Sequence, residues 1–554
     1  MGFDRIWHRH YPPGVPNRLD YTDLTMPEFL TRSAERYPDH AALDFMGKII
    51  RYSELERMVN RFARALMELG IGQGDTVAML LPNIPQIVIA NYAAWRIGAV
   101  TALNNPLYTE RELEHQLSLS DARILVTLDL LQPRAVKLLR STPVEKIVVC
   151  HINDYLPFPK KQLFPFVKKQ MYRKVDPRPE TVAFTDLMNR RDEAPVANRA
   201  ELDAVGAHLY TGGTTGVSKG AMITHRNMSY NTQQLRRWFY NLKDGEEREL
   251  AVFPFFHSAG FTGVQNMCVL SAWTDVLVPR PEPGTIIEIL QKSKPTLVPG
   301  VPTIYVGLLA DERFTRMDLK FIKGFVAGAA PLPMEVIQRL EKLTGGAMVN
   351  VYGLTEMTPM ATASPWNGPK KPGTVGVPLP DTDLKLVDLE DGTTEVPVGQ
   401  PGEICFKGPQ IMAGYHKRPD ETEKALRDGW LHTGDIGILD EDGFLSIVDR
   451  KKDMIVASGY NVYPNEIDDI LFSHPKILEA CTIGVPDPYR GETVKSFIVV
   501  RPGQILTEAE VTAFCKERMA AYKVPKQIDF IDALPKSAVG KILRKELRQE
   551  PDPS

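Results

Sequence analysis

Short apolar runs alternate with helix-length segments along most of the chain. Residues 75–80 (DTVAML), 122–128 (ARILVTL) and 146–150 (KIVVC) have the length and composition of buried strands. Residues 87–100 (IVIANYAAWRIGAV) instead have helical spacing. This repeated alternation predicts an α/β fold with helices layered around mostly parallel sheets.

Two long stretches, 77–95 and 250–274, lack formal charge. Both contain amides, prolines lie within or beside them, and the second also holds His257 and several hydroxyls. We therefore expect buried strand–helix pairs and not membrane spans. The opening residues, MGFDRIWHRHYPPGVP, contain no apolar run of the kind that a secretory signal needs.

Cysteine usage indicates a reducing compartment. The five cysteines are scattered without a CxxC pair, which argues against a zinc site or a disulfide framework. We therefore expect a cytoplasmic protein. The net charge of −3 indicates no general attraction to nucleic acid or to a membrane.

At 554 residues, the chain exceeds the roughly 250–300 residues at which a single core stops growing. The most polar junction is 448–453 (VDRKKD), which follows the hairpin-like 441–448 (EDGFLSIV). A chain cannot easily bury so many charges, so we predict a hinge there. The predicted domains are residues 1–449, a hinge at 450–453 and a small domain at 454–554.

The strongest candidate for chemistry is residues 210–220 (YTGGTTGVSKG). Glycines let backbone N–H groups approach phosphate oxygens, threonines add hydroxyl donors and Lys219 adds charge. It is not a Walker A loop, because Lys219 lies between Ser218 and Gly220. The alternative is a plain flexible turn.

Three further segments are ambiguous when taken alone. Residues 352–356 (YGLTE) offer an aromatic face, a hydroxyl and a carboxylate for Mg²⁺, but a strand end followed by a helix cap would look the same. Asp435 in 429–437 could bind a ribose or lie in a turn, and the turn is favoured. Lys541 follows a glycine turn and could simply be a solvated helix end.

Taken together and in order, these segments resemble the adenylate-forming acyl-CoA synthetase family, especially bacterial long-chain fatty acid–CoA ligases. The resemblance covers nearly the whole chain. Its motifs are NPLYTERELEHQL (105–117), YTGGTTGVSKGAMITHRN (210–227), VYGLTE (351–356), GWLHTGDIG (429–437), VDRKKDMIVASGYNVYPNEID (448–468) and YKVPK…LPKSAVGKILRKEL (522–547).

The resemblance implies a fold and a two-step reaction. The fold is a large multi-layered α/β domain with a small β-barrel-like subdomain, followed by a small mobile α+β domain. A carboxylate first attacks the α-phosphate of ATP to give acyl-AMP and pyrophosphate. The thiol of coenzyme A then attacks the acyl carbon and AMP leaves. ATP, Mg²⁺ and coenzyme A are therefore the expected cofactors.

The resemblance also implies residue roles. Lys541, Glu356 and Thr355 are the expected catalytic residues, Thr211 and Glu356 the Mg²⁺ ligands and Lys452 the hinge. Coenzyme A would approach Ser458, Gly459 and Tyr460. The expected nucleotide-binding residues are Thr211, Gly213, Thr214, Thr215, Lys219, Gly328, Ala329, Ala330, Tyr352, Gly353, Thr355, Asp435, Ile447 and Arg450. Two positions depart from the common loop, Gly213 for Ser and Ser218 for Pro, and we expect the second to loosen the loop.

The acyl pocket is expected along 251–270 and 325–332, with His257, Phe261 and Gly328 as named contacts. No lysine or arginine lies between residues 250 and 274, so a mostly apolar acid is favoured. A medium- or long-chain fatty acid is the first choice, and an aromatic or alicyclic acid is the alternative. His257 could orient the acyl group or cap a helix.

Residues 155–178 carry a net charge of +6 together with five aromatic side chains, which leaves −9 for the rest of the chain. One hypothesis is an interfacial patch that contacts anionic lipid on the inner face of the membrane. The alternative, slightly favoured because prolines interrupt any helix, is a surface excursion packed on the body. A homodimer is an expectation from the resemblance alone.

Other activities predict different sequence features. An acyl-AMP ligase that loads a carrier protein would favour a carrier domain after Lys541, and we expect none. Oxidation of the adenylate, as in luciferases of this superfamily, would need a special acid. A non-catalytic binding protein would be expected to lack Glu356 or Lys541, and both are present.

Overall fold

The computed structural model describes residues 5–189, 194–211, 218–328, 332–457, 460–487, 491–537 and 541–548. Its strands, in chain order, are β1 Ala41–Phe45, β2 Lys48–Arg51, β3 Thr76–Leu80, β4 Val100–Leu103, β5 Ala122–Leu128, β6 Lys146–Cys150, β7 Thr181–Ala183, β8 Val205–Thr211, β9 Lys219–Thr224, β10 Arg248–Ala251, β11 Thr274–Leu277, β12 Leu297–Gly300, β13 Gly324–Ala327, β14 Ala347–Tyr352, β15 Thr362–Ala363, β16 Val377–Pro378, β17 Asp383–Val387, β18 Pro401–Lys407, β19 Gly414–Tyr415, β20 Leu426–Arg427, β21 Trp430–Leu439, β22 Leu445–Arg450, β23 Ile455–Ala457, β24 Tyr460–Val462, β25 Ile477–Asp487, β26 Gly491–Val500 and β27 Gln527–Phe530.

The α-helices are α1 Met26–Arg36, α2 Tyr52–Glu68, α3 Pro85–Arg96, α4 Glu110–Leu119, α5 Gln132–Leu138, α6 Lys160–Val167, α7 Phe184–Met188, α8 His225–Trp238, α9 Ser258–Gly260, α10 Met267–Leu270, α11 Pro283–Ser293, α12 Pro302–Ala310, α13 Glu312–Thr315, α14 Met334–Thr344, α15 Pro419–Ala425, α16 Pro464–Phe472, α17 Glu508–Lys516 and α18 Arg544–Leu547. A π-helix spans Phe261–Asn266 between α9 and α10.

Two large, mostly parallel sheets form the body of the molecule. One has nine strands in the order β16-β15-β14-β13-β12-β10-β11-β1-β2, and the other has eight in the order β19-β9-β8-β4-β3-β5-β6-β7. One continuous apolar core contains residues of both sheets and of α2 and α3. Every residue of α3 is buried, which explains why apolar residues occur on all its sides, with Gln86, Asn91 and Arg96 buried among them. This architecture confirms the predicted α/β fold.

The strand predictions agree closely with the structure. Strands β3, β5 and β6 match the three apolar runs, and they are neighbours in the eight-stranded sheet. The predicted helix over 87–100 ends earlier, at Arg96. Gly98 has φ +75°, which turns the chain, and Val100 already begins β4. No helix within the described residues has the length and apolar character needed to cross a membrane.

Two smaller sheets complete the fold. Strands β17, β18, β21 and β20 form a sheet to which β22 adds through β21, and β24, β23, β26 and β25 form another to which β27 adds through β26. The second sheet has its own apolar core with α16 and α17. It belongs to the predicted 454–554 domain, whose exact limits stay a prediction.

The charged junction at 448–453 is more buried than we expected. Asp449 is fully buried and Asp453 is nearly so. The backbone N–H of Asn465 donates to Asp449 at 2.8 Å, and Arg548 donates to Asp453 at 2.8 Å. The expectation of a fully solvated run is therefore wrong, because groups distant in sequence supply partners for its carboxylates.

Candidate functional site

The candidate site lies where parallel strands of the nine-stranded sheet end. Strands β13 and β14 run side by side and end at Ala327 and Tyr352, so Gly328 and Gly353 follow at the same edge. A Cβ on Gly353 would lie 1.8 Å from the carbonyl oxygen of Pro359, so only glycine fits. Carboxyl ends of parallel strands are the usual place for ligands in open α/β sheets. Ala329 and Ala330, predicted near adenine, lie outside the described residues.

Tyr352 joins this edge to the five-stranded sheet. Its hydroxyl donates a hydrogen bond of 2.7 Å to Oδ2 of Asp435. Asp435 is 6% exposed and pairs in register with Arg450 across β21 and β22, with 3.5 Å between Arg450 Nε and Asp435 Oδ1. Asp435 therefore lies in a strand and not in a turn. Gly434, with φ +70°, changes the direction of the chain just before it. Burial, followed by the Asp435 charge, raises the pKa of Tyr352 well above its ordinary value.

The glycine- and threonine-rich loop connects β8 to β9. Thr211 ends β8 and pairs with Lys219, which begins β9. Ser218 Oγ donates to the carbonyl oxygen of Thr211 at 3.1 Å, and Gln116 donates to Ser218 Oγ at 3.3 Å. These bonds join the two ends of the loop, whereas the expected loosening by Ser218 concerns loop residues outside the described part of the chain. The predicted phosphate contacts Gly213, Thr214 and Thr215 lie outside the described residues.

Two residues that the sequence analysis missed lie beside the predicted phosphate and metal ligands. Tyr415 donates a 2.6 Å hydrogen bond to Glu356 Oε1, and Lys219 lies 4.7 Å from the centre of the Tyr415 ring. Glu421 forms a 2.6 Å ion pair with Lys219. Tyr415 reaches the site because β19 pairs with β9, and no local pattern signals that pairing. Thr355 and Glu356 share a short 3₁₀ helix.

Lys541, from the C-terminal domain, lies within range of the charges of Arg450 and Asp435. A turn presents it, closed by the Ser537 N–H donating to the Lys541 carbonyl at 2.8 Å and the Lys541 N–H donating to Ser537 Oγ at 3.1 Å. The residue as a whole is exposed, and only its ammonium end is desolvated by the protein around it. This burial lowers the pKa of Lys541 to about 8, and the charge of Arg450 lowers it further.

His257 lies close enough to Lys541 to sense its charge. Burial lowers the pKa of His257 to about 4, and Lys541 contributes to that shift. The ring Nδ1 of His257 accepts a 3.3 Å hydrogen bond from the N–H of Ala259, so His257 caps α9. Of the two roles left open by the sequence, the capping contact is present.

A small apolar cavity of about 20 Å³ lies against strands β10 and β12 to β14 of this sheet. It is lined by Leu235, Trp238, Phe239, Glu249, Phe253, Ala259, Gly263, Val264, Met267, Pro299, Val326, Val349, Val351, Met360 and Ala363. Ala259 and Gly263, two small residues within the predicted stretch 251–270, are among them. Phe261 is not, because it is fully buried with its ring 5.4 Å from the Trp95 ring, edge to face. Gly328 lies beside the lining, since a Cβ there would lie 3.0 Å from Val351.

The remaining predicted residues lie on or after β22. Ile447 is partly buried on β22 and pairs with Gly437. Burial, followed by the charge of Arg450, lowers the pKa of Lys452, the predicted hinge residue. Ser458 and Gly459, predicted near coenzyme A, lie outside the described residues, and Tyr460 begins β24.

Comparison with known proteins defines the class. Residues 30–416 match the family model of AMP-binding enzymes, and residues 466–541 match that of the AMP-binding enzyme C-terminal domain. A long-chain-fatty-acid–CoA ligase from Bacillus subtilis (strain 168) is 42% identical, with 99% of both chains covered. A protein of the same name from Yersinia pestis is 39% identical over 99% of this chain and 98% of its own. The chain belongs to the AMP-binding, adenylate-forming enzyme family.

Solved structures agree with that assignment. ATP-bound MatB from Rhodopseudomonas palustris superposes with a TM-score of 0.83 at 28% identity, covering 95% of this chain and 98% of its own. The anthranilate CoA ligase AuaEII, solved with anthranoyl-AMP, also has a TM-score of 0.83, at 26% identity, covering 95% of this chain and 96% of its own.

Proposed function

We propose that the protein is an AMP-forming ligase that activates a medium- or long-chain fatty acid to acyl-AMP and transfers the acyl group to coenzyme A. The observation that best supports it is that Lys541, from the C-terminal domain, lies near enough to Arg450 and Asp435 for their charges to shift its pKa. The family supports the adenylating step, and relatives named long-chain-fatty-acid–CoA ligase support the acid and the thiol.

The first step brings together two anions, a carboxylate and the α-phosphate, so positive charge must lie between them. We infer that the Lys541 ammonium bridges the two, which stabilises the charge that develops as pyrophosphate leaves. Asp435, held by Tyr352 and Arg450, would accept hydrogen bonds from the ribose hydroxyls. Gly328, Gly353 and Ile447 would lie around the adenosine, with Thr355 near the α-phosphate.

Lys219 and the loop that begins at Thr211 would hold the β- and γ-phosphates. In the structure Lys219 is paired with Glu421, so the phosphates would compete with that carboxylate for the ammonium. The predicted loop residues Gly213, Thr214 and Thr215 would contribute backbone and hydroxyl donors.

The residues present fit Mg²⁺. Glu356 forms no ion pair with a lysine or arginine among the described residues, so its carboxylate is available to a cation. The described residues include no group of three or more metal-ligating His, Cys, Asp or Glu side chains. This suits an ion held largely by phosphates with one carboxylate and the Thr211 hydroxyl. When bound, Mg²⁺ neutralises phosphate charge.

In the second step, the thiol of coenzyme A attacks the acyl carbon and AMP leaves. Lys541 and the coenzyme A face of the small domain cannot occupy the same space at once. We therefore infer a rotation about Lys452 that withdraws Lys541 and brings Ser458, Gly459 and Tyr460 to the thiol arm.

A pyrophosphate-release screen tests the proposal. The acids are even-numbered fatty acids of increasing length, with benzoate and cyclohexane carboxylate as cyclic alternatives. We expect activity with the fatty acids, and release of AMP that depends on coenzyme A. Preference for a cyclic acid would overturn the substrate class, while acyl-AMP formation without thioester formation would favour a carrier-protein ligase.

We further propose that residues 155–178 contact anionic lipid. Phe158, Phe166 and Val167 are 84%, 73% and 71% exposed, next to the lysines at both ends of α6. Surface-bound basic residues contribute about 1 kcal/mol each, and exposed aromatic side chains suit the headgroup region. Phe164 is buried and packs on the body. The alternative, a surface excursion without lipid contact, requires such packing along the whole segment.

Liposome co-sedimentation at two salt concentrations tests the lipid contact. Replacing Lys160, Lys161, Lys168 and Lys169 with glutamine should reduce binding to anionic vesicles. The control variant loses the same number of positive charges elsewhere on the surface. It replaces four other exposed lysines with glutamine: Lys243, Lys292, Lys424 and Lys516. Unchanged binding in the first variant would contradict the proposal. A homodimer, proposed from the resemblance alone, is tested by analytical ultracentrifugation.

A further inference from the structure

Asp449 is a buried acid at the junction between the body of the molecule and the C-terminal domain. It lies on β22 in register with Ile436 on β21, so it belongs to the five-stranded sheet that precedes the predicted hinge. The residue is fully buried. Because Lys452 follows three positions later, a rotation about Lys452 would move the C-terminal domain relative to this acid.

Groups from beyond the hinge contact the Asp449 carboxylate. The backbone N–H of Asn465, in the first turn of α16, donates to Oδ2 of Asp449 at 2.8 Å. The guanidinium Nη1 of Arg544 lies 3.6 Å from Oδ1, which also accepts from the N–H of Arg450 at 2.7 Å. The Asn465 side-chain amide donates to the carbonyl oxygen of Val448 at 3.1 Å. The acid therefore faces a helix N-terminus and a cation, and both attract a negative charge.

Arg544 links this contact to Lys541. It begins α18 three positions after the lysine, and with only two residues between them a displacement of Arg544 also displaces the Lys541 backbone. The Arg544 guanidinium donates to Oδ1 of Asn465 at 2.6 Å and to Oδ2 of Asp468 at 2.8 Å. Its side chain is only 16% exposed. The segment that carries Lys541 is thus fixed by the same guanidinium that faces Asp449.

Burial makes this contact sensitive to the loss of either partner. Burial raises the pKa of Asp449, and the charge of Arg544, followed by the hydrogen bond from Asn465, opposes that rise. A buried carboxylate that loses a cation and a hydrogen-bond donor is destabilised unless other partners replace them. In the orientation seen here these partners are present, and Lys541 lies within range of the charges of Arg450 and Asp435.

We propose that Asp449 is a positioning residue that, through Arg544 and the N-terminus of α16, stabilises the orientation of the C-terminal domain in which acyl-AMP forms. Rotation about Lys452 would carry Arg544 and Asn465 away from Asp449, so weakening this contact favours the orientation for thioester formation. The inference rests on the proposed ligase function and names a residue that sets the balance between its two half-reactions.

The test measures the two half-reactions separately at pH 7: acyl-AMP formation from fatty acid and ATP, and thioester formation from supplied acyl-AMP and coenzyme A. Asp449→Asn keeps the shape and an acceptor for the Asn465 N–H but removes the charge that faces Arg544. It should slow acyl-AMP formation roughly tenfold, the size expected for a hydrogen-bonded contact between charges, and leave thioester formation unchanged or faster.

Arg544→Gln should change the ratio of the two rates in the same direction. Because both substitutions remove one contact, the double variant should add little to either single variant. If Asp449→Asn does not fold, Arg544→Gln gives the same test.

Asp44→Asn is the matched control. Asp44 is a buried acid that pairs with Arg248 at 2.6 Å, and both residues belong to the body. This variant should leave the ratio of the two half-reactions unchanged, even if it destabilises the protein.

Two results would overturn the inference. One is an equal loss in both half-reactions when Asp449 or Arg544 is replaced, which would mean that the contact only stabilises the fold. The other is a change in ratio no larger than that of Asp44→Asn. Absence of any acyl-CoA formation by the wild type would instead refute the ligase function.

Discussion

Buried acids have opposite surroundings in two regions, the nucleotide edge around Asp435 and the wall of the apolar cavity around Glu249. Asp435 is nearly buried but receives a hydrogen bond from Tyr352 and has Arg450 beside it. Glu249 and Asp275 are at least as buried and have no cation among the described residues. The Asp435 carboxylate has partners, whereas burial favours the neutral form of Glu249 and of Asp275.

The two kinds of surroundings have different consequences. A ribose presents hydroxyl donors to a carboxylate that Tyr352 and Arg450 already orient, which favours tight and specific binding. Glu249 instead accepts a weak 3.7 Å contact from the Cys268 thiol, and an acid without a strong partner in an apolar wall destabilises the protein.

The largest expected effect concerns Lys541 at the nucleotide edge. Lys541→Ala should slow acyl-AMP formation by roughly 1,000-fold, because the positive charge between carboxylate and α-phosphate is lost. Thiolation of supplied acyl-AMP should change far less. Rapid-quench assays of each half-reaction measure this. Equal losses in both halves would contradict the role of Lys541.

Removing the Asp435 carboxylate should weaken nucleotide binding alone. Asp435→Ala should raise KM for ATP roughly 10- to 100-fold, since charge-assisted hydrogen bonds to the ribose are lost. KM for the fatty acid should stay within about twofold of the wild type. Tyr352→Phe keeps the ring and the carboxylate and removes one hydrogen bond, so its effect should be smaller. A similar rise in both KM values would mean that the nucleotide and acyl sites are not separate.

The pH profile should report Lys541. The pKa of Lys541 is lowered to about 8, so its side chain is protonated well below that pH and loses the proton as pH rises through it. We expect kcat/KM for ATP to fall about tenfold per pH unit above pH 8. Lys541→Arg should abolish this fall, because guanidinium stays protonated. A wild-type profile that is flat to pH 9.5 would contradict the assignment.

The smallest expected effect is on the free energy of unfolding, which should change in opposite directions when Glu249 and Asp435 are replaced. Glu249→Leu should raise the free energy of unfolding by about 1–3 kcal/mol, because it removes a buried polar group that lacks a strong partner. Asp435→Leu should lower it, because Tyr352 and Arg450 would lose their shared partner. Chemical denaturation of both variants measures this. A loss of stability in Glu249→Leu would show that the acid has a structural partner.

The class of fold could be predicted from the sequence because strand and helix periods are local. Strands β3, β5 and β6 each appear in the sequence as an apolar run, and the turn at Gly98 is the local signal that ends α3 before residue 100. The ordered motifs likewise predicted site roles for Lys541, Glu356 and Asp435, and these roles stay predictions. Roles that depend on partners were harder to predict. The burial of Asp449 depends on Asn465 and Arg544, which follow it in the chain.

By itself, the sequence determined the layers, the order of the motifs and the residue types available for chemistry. Only the tertiary structure decided which of them meet. Tyr352 and Asp435, 83 positions apart, share a hydrogen bond because two sheets adjoin. Phe261 packs against Trp95, away from the cavity. Glu249 lines that cavity next to Asp275 because β10 and β11 are adjacent strands. A side chain's surroundings depend on which strands become neighbours, and local pattern does not encode that choice.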